Sequence, residues 1–304
     1  MNQLLIFSTT IKKEVISLII LILSINLLLL LPYGIRLSEQ IIIYSSLALI
    51  WVILYKFLGL FFLGTSGVFG LSTYLVSVLH GSSLFVTPLD MFVSVIAMGL
   101  ILAPITYLIL RTSGGYFALL TLGLNLIAPL IVSSLDATYF RVSARYLNFD
   151  ITFIHHFTLL VIFFLLSFLY LYIHNPVKLK YTLLLIKGGK DVAESLGINY
   201  YNFRYITVLT LLFSITILGV IHSAYLFRVD SITIFPSELT LIPITAGLLI
   251  VIKTRGHAII DIMISILIPL AYILFGVAVS VFVEVLLGLT IFGVLILMLK
   301  KMLT

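Results

Sequence analysis

From Leu89 to Leu110 the chain reads LDMFVSVIAMGLILAPITYLIL, with one charge, Asp90, at its start and Arg111 immediately after its end. Such a run is long enough, as a helix rising 1.5 Å per residue, to cross the ~30 Å hydrocarbon core of a bilayer. Working outward, runs of the same kind recur along the whole sequence. Bounded by charges, Pro and Gly, they predict ten spans, the first five near 14–33, 40–57, 60–79, 89–110 and 115–134. The second five lie near 152–174, 203–225, 239–252, 258–276 and 278–299, with the third and eighth short or broken. No window alternates over ten residues as a barrel strand would, so a β-barrel is excluded. The expected fold class is all-α, a polytopic membrane protein forming a single transmembrane domain over 1–304.

Composition leads to the same class. Of 304 residues 62% are hydrophobic and 9% charged, against about 25% charged in an ordinary soluble domain. A mean hydropathy of +1.31 excludes a soluble enzyme, a disordered chain and a coiled coil. The absence of cysteine removes disulfides, iron–sulfur clusters, thiolate zinc sites and cysteine nucleophiles. Lys12 and Lys13 before the apolar run Val15–Leu31 imitate a signal peptide, but the run is too long and lacks a small-x-small cleavage site. It reads as an uncleaved first span.

The net charge of +6, from 17 Lys and Arg against 11 Asp and Glu, would suggest nucleic acid in a soluble domain. In a membrane protein the placement of the charges decides instead. With both termini cytoplasmic, thirteen basic residues fall inside, among them Lys12, Lys13, Lys56, Arg111, Lys187, Lys190, Arg204 and Lys253. Four, Arg36, Arg141, Arg145 and Arg228, fall outside. This is the asymmetry of the positive-inside rule, and an odd number of spans would spoil it. A multi-pass protein of the cell membrane, with the lipid bilayer and not nucleic acid as its surroundings, is the expectation.

Catalytic patterns are missing. Lys187-Gly188-Gly189-Lys190-Asp191 lacks the upstream glycine and the hydroxyl of a P-loop, so no ATP site is expected in this chain. His155 and His156 are adjacent and point about 100° apart on a helix, unlike i,i+4 metal ligands. No metal site and no enzymatic activity are expected.

The informative polar stretch is the inside loop over about 175–202. Asp191-Val192-Ala193-Glu194-Ser195-Leu196-Gly197-Ile198-Asn199 reads as a short amphipathic helix closed by Gly197. Val192 and Leu196 share one face and Ala193 and Gly197 another, because i and i+4 are neighbours. Small residues permit close approach of a partner surface, with Glu194 as an acceptor beside them. A solvated surface helix is the plain alternative.

This stretch resembles the cytoplasmic coupling loop of ATP-driven importer permeases, whose signature is Glu-Ala-Ala, three residues and Gly. Val192-Ala193-Glu194-Ser195-Leu196-Gly197-Ile198-Asn199 is similar to the form found in the branched-chain amino acid permease family. Two further segments resemble that family in the same order. One runs from Leu63 to Tyr74, LGTSGVFGLSTY, and the other from Arg111 to Gly123, RTSGGYFALLTLG. The resemblance covers roughly 60–230. It departs ahead of the loop helix, after the eighth span at Ile252-Lys253-Thr254-Arg255-Gly256-His257, and in the tail Lys300–Thr304.

The resemblance implies a ten-helix permease of the type II (cobalamin-importer-like) architecture. It also implies a second permease subunit, two cytoplasmic ATP-binding subunits that carry ATP and Mg, and an extracytoplasmic substrate-binding protein. Lys187, Ala193, Glu194, Leu196, Gly197, Ile198 and Asn199 would then form the ATPase coupling loop.

Polar residues are few within the spans. Ser66, Ser72, Thr73 and Tyr74 lie in the third and Tyr116, Thr121 and Asn125 in the fifth, and of these Ser66, Ser72, Tyr74, Tyr116, Thr121 and Asn125 are candidates for a translocation path. A buried Asn needs a partner, so Asn125 should face protein or a cavity. Gly64, Gly67 and Gly70 mark either close helix packing or an unwound stretch. Asp261 lies near the inner interface, whereas Glu284 lies deeper and is the residue through which a self-sufficient secondary transporter or channel would couple. A path with no dedicated ion site suits a small neutral or zwitterionic solute, branched-chain amino acids by family analogy.

Overall fold

The computed structural model describes residues 16, 18, 19, 21, 34–80, 87–112, 115–147, 152–175, 178–253 and 257–276. Most of the expected first span, all of the tenth, Glu284, Arg255, the Lys12–Lys13 pair and the Lys300–Lys301 tail lie outside these residues.

The described residues are overwhelmingly helical. In chain order the elements are α1 (Gly34–Val52), continued by a π-helical stretch (Ile53–Phe57), α2 (Thr65–His80), α3 (Pro88–Ile109) and α4 (Gly115–Leu135) with a π-helical end (Asp136–Phe140). There follow β1 (Arg145–Tyr146), α5 (Thr152–His174), α6 (Lys178–Lys187), α7 (Lys190–Ser195) and α8 (Tyr200–His222). A 3-10 turn (Ser223–Tyr225), β2 (Arg228–Val229), α9 (Glu238–Ile252) and α10 (Ala258–Gly276) complete the order.

Five helices are long and apolar enough to cross a membrane: Gly34–Phe57, Pro88–Ile109, Gly115–Phe140, Ile154–His174 and Tyr200–Tyr225. They correspond to the second, fourth, fifth, sixth and seventh expected spans. Leucines along α3 and α4 stand bare, Leu126 at 64% and Leu130 at 66% exposure among them. Apolar surface on that scale is foreign to a soluble monomer and is what lipid requires. The chain is an α-helical, membrane-embedded protein.

Where the third and eighth spans are expected, the helices are short. Residues 59–64 are not helical, so α2 starts only at Thr65 and has 16 residues. Gly59, at φ +72°, ends the preceding helix, and the Leu60 amide closes back on the Leu54 carbonyl at 2.9 Å. α9 has 15 residues. α3 opens with a full capping box, in which Thr87 Oγ1 accepts from the Asp90 amide, the Asp90 carboxylate accepts from the Thr87 amide, and Pro88 sits at the first helical position.

The chain divides into two compact units. In the first (Met1–Val52, Leu159–Lys180, Leu241–Thr304), α10 packs along α1. There Gly247 of α9 lies so near Trp51 that a Cβ would stand 2.3 Å from the indole, and Asp261, 1% exposed, accepts a 2.5 Å hydrogen bond from the Tyr170 hydroxyl. The second unit (Ile53–Thr158, Tyr181–Thr240) is built on α2, which packs against α3, α4 and α8. A core of Tyr74, Val76, Val132, Leu147, Val220, Val229 and Ile234 closes one end, where β1 pairs antiparallel with β2 in the register Arg145–Val229 and Tyr146–Arg228. The segment after β2 is held by Asp230, whose carboxylate accepts the amides of Ile232 at 3.0 Å and Thr233 at 2.9 Å.

Candidate functional site

The non-helical segment 59–64 raises an accounting problem. Irregular backbone in a membrane protein must find internal partners, and the first amides of any helix lack intrahelical acceptors. Three side chains from distant parts of the sequence supply them. The Leu63 amide donates to Thr121 Oγ1 at 3.1 Å, and the Ser66 amide donates to Thr240 Oγ1 at 3.1 Å. Asn125 serves both ends of the break: its Oδ1 accepts the Gly67 amide at 2.7 Å, while its Nδ2 donates to the Leu63 carbonyl. Nδ2 also donates to Thr240 Oγ1 at 2.9 Å. This pattern fixes the orientation of the amide, because the opposite flip would oppose donor to donor and acceptor to acceptor.

The glycines of α2 answer both readings of their spacing. A Cβ on Gly64 would stand 3.0 Å from the Thr121 carbonyl, and one on Gly67 3.0 Å from the Leu124 carbonyl. Gly64 lies in the unwound stretch and Gly67 in the helix, and both allow the backbone of α4 to come close enough for Asn125 to reach across.

The structure therefore brings together Ser66, Thr121 and Asn125 of the expected path, and separates the rest from them. Ser72 Oγ donates to carbonyls of its own helix, Phe69 at 2.6 Å and Val68 at 3.0 Å. Thr73 Oγ1 donates to the Gly219 carbonyl at 2.8 Å and ties α2 to α8. Tyr116 is 71% exposed at the start of α4. Tyr74 points to the other end of the unit, where its hydroxyl donates to Asp136 Oδ1 at 2.8 Å. Arg145 Nη1 stands 2.6 Å from the same oxygen, and its guanidinium lies 5.0 Å over the Tyr74 ring. Thr240, Asp136 and Arg145 carry these two clusters and were not singled out from the sequence. The near balance of Asp136 and Asp150 against Arg141 and Arg145 was the available hint for the pair, and Thr240 offered none.

Beside the broken segment a cavity of about 20 Å³ remains, lined by Phe62, Leu102, Phe117, Thr121 and Leu212 among others. It has room for about one water. Thr106, also on its wall and 3% exposed, holds a hydroxyl with no hydrogen-bond partner among the described residues.

The loop helix α7 is six residues long. It ends in a Schellman motif: the Gly197 amide donates to the Glu194 carbonyl at 3.0 Å and the Ile198 amide to the Ala193 carbonyl at 3.0 Å. Gly197 takes φ +75° with open space where a Cβ would be. A larger residue there is opposed by backbone strain, not by a neighbour in this chain. Ala193 is completely buried and anchors the helix, whereas Val192 is 44% and Leu196 62% exposed, with Glu194 exposed beside them. The face turned outward is thus apolar and acidic, and the small residue Ala193 belongs to the inner face. Asn199 caps α8, its Oδ1 accepting the Asn202 amide at 3.1 Å. Lys187 Nζ donates to the Lys56 carbonyl at 3.0 Å, and its stem crosses Gly59.

Among the described residues no group of three or more His, Cys, Asp or Glu side chains could hold a metal ion. The class these features define is an α-helical membrane protein that carries, among the described residues, a broken helix and an exposed loop helix. No family model, curated protein or solved structure matches the chain.

Proposed function

We propose that this chain is the membrane-spanning permease subunit of an ATP-driven importer. It has ten spans with both termini in the cytoplasm, in the type II arrangement, and moves a small neutral or zwitterionic solute, branched-chain amino acids before others. A second permease subunit completes the path, two ATP-binding subunits carry ATP and Mg, and an external binding protein delivers the solute.

The observation that carries this reading is α7. A helix of six residues has too few internal hydrogen bonds to stand alone, yet this one is closed by a Schellman turn, anchored by buried Ala193, and holds Val192 and Leu196 bare. Apolar side chains kept rigidly in solvent are what a docking helix needs, since ordering is already complete before the partner arrives. ATP-driven closure of the partner subunits would pull on α7 and, through the short connection at Asn199, on α8. The unwound segment before α2, whose amides are held by side chains instead of a helix ladder, is a place where such a pull can be absorbed.

The test is Glu194→Lys. It reverses the charge on the docking face and touches no internal contact, so the variant should remain monodisperse and stable while ATP-dependent uptake into proteoliposomes is abolished and the ATP-binding subunits no longer co-purify. Normal uptake, or unchanged co-purification, refutes the assignment of α7.

A further inference from the structure

At one end of the second unit, α3 and α8 diverge around an open pocket of about 650 Å³ lined by Tyr107, Leu110, Arg111, Tyr201, Asn202 and Tyr205. On the topology expected from the sequence, Lys56, Arg111, Lys187, Lys190 and Arg204 all fall on the cytoplasmic side. Three of the six lining residues are tyrosines, and aromatic rings with a polar tip sit at the level of lipid headgroups.

The cation in this pocket is built in. Arg111 Nη2 donates to the Tyr107 hydroxyl at 2.5 Å, and the guanidinium lies 4.6 Å from the centroid of the same ring. Tyr107 in turn meets Tyr205 edge to face at 6.0 Å, and the Tyr205 hydroxyl donates to the Ala103 carbonyl at 3.2 Å. Lys190 of α7 rests its ammonium 5.3 Å above the ring of Tyr201, one of the lining residues. Arg111 is therefore positioned by an aromatic face and a hydroxyl and Lys190 by an aromatic face, and among the described residues no carboxylate pairs with either of them. A guanidinium held by one bond keeps the rest of its donor fork free, the geometry that matches a phosphate. Leu110, buried at the floor, gives the pocket an apolar side for the glycerol and acyl portion of a lipid.

We infer that this pocket is a phosphate-binding site and that its ligand is the headgroup of an anionic phospholipid. Basic pockets between membrane helices on the cytoplasmic side take such headgroups. Because Lys190 belongs to α7, occupation of the pocket would also tie the loop helix to the membrane surface. The inference uses the placement of α3 and α8 in a bilayer and not the importer reading, so either can fail without the other.

The experiment is native mass spectrometry of the full-length protein in detergent, titrated separately with dioleoyl-phosphatidylglycerol and dioleoyl-phosphatidylcholine. The expected result is one retained phosphatidylglycerol that survives delipidation, with phosphatidylcholine bound at least tenfold more weakly. Arg111→Gln should weaken phosphatidylglycerol about tenfold, in keeping with loss of one charge-assisted contact. Arg228→Gln, which removes an exposed arginine elsewhere, should change nothing. Lys190→Gln, exposed and without internal hydrogen bonds of its side chain, serves as the second variant and should weaken binding about threefold even where Arg111→Gln proves unstable. Equal retention of both lipids, or identical affinities in the wild type and both pocket variants, overturns the site. Displacement of phosphatidylglycerol by millimolar inorganic phosphate overturns the lipid assignment in favour of the free anion.

Discussion

Asn125→Ala removes the one side chain that serves both ends of the break before α2. Three hydrogen bonds disappear: from the Gly67 amide, to the Leu63 carbonyl and to Thr240 Oγ1. Hydrogen bonds between membrane helices average about 0.6 kcal/mol each, which sets the lower end at about 2 kcal/mol. The upper end, about 4 kcal/mol, follows from the two backbone groups left behind, at about 2 kcal/mol each, the middle of the range for an unpaired buried amide or carbonyl. The expected loss is therefore about 2–4 kcal/mol, in a protein of this size a fall in Tm of roughly 5–15 °C. Thermal unfolding followed by size-exclusion chromatography in mild detergent reads it directly. Thr240→Val, which keeps volume and removes a single hydroxyl, should cost less than Asn125→Ala. The double variant should lose less than the sum of the two, by about 0.5–1 kcal/mol, because the residues share a bond. An Asn125→Ala protein that melts within about 2 °C of wild type would refute the claim that this amide holds the break together. Strictly additive losses would refute the coupling to Thr240.

Three further outcomes are expected. Gly219→Ala should cost about 1–3 kcal/mol through overpacking, because its Cβ would stand 2.2 Å from Ser72 Oγ and 2.5 Å from the Phe69 carbonyl; Ser72→Ala should not rescue it in a melting assay, since the carbonyl remains. Arg145→Met should destabilise by about 3–5 kcal/mol by stranding the buried Asp136 carboxylate, with Asp136→Asn in the same background restoring part of the loss in Tm. Burial pushes the Asp230 carboxyl up, but this is outweighed by the amides of Thr233 and Ile232 and by Arg228, so its pKa is held below the ordinary 3.8. Its stabilisation is accordingly complete above that value and disappears as pH falls through the lower folded one. Limited proteolysis at the segment after β2 should accelerate in acid for the wild type, and Asp230→Ala should be cleaved rapidly at neutral pH as well.

Local chemistry was legible wherever the interaction is local. The end of α7 could be read from Gly197 alone, since a glycine after a short amphipathic run is the usual left-handed terminator, and the Schellman bonds follow. The membrane class and five of the long helices were legible because a bilayer demands continuous apolar runs, and composition reports those without reference to any neighbour. The shortness of α2 and α9 showed in the interrupted hydropathy of those stretches. The need of Asn125 for a partner could be stated in advance, as the cost of a bare amide in hydrocarbon does not depend on the fold.

The identity of that partner could not. Thr240 lies 115 positions further along, in a helix where nothing local distinguishes it from Thr245, and only the packing of the second unit brings its hydroxyl to the start of α2. Tyr74 and Tyr116 read alike in sequence as polar aromatics in a span. Tertiary structure buries one against Asp136 and Arg145 and leaves the other bare. The face of α7 was decided in the same way, since a helix of six residues with apolar groups on two sides carries no preference between them, and the packing that buries Ala193 made the choice. The sequence by itself thus determined the solvent in which this chain folds and where its helices stop, because those follow from transfer free energies and local backbone preference. Which polar groups meet was left to the tertiary structure, because a hydrogen bond across 58 or more residues has no local signature and exists only once the helices are packed.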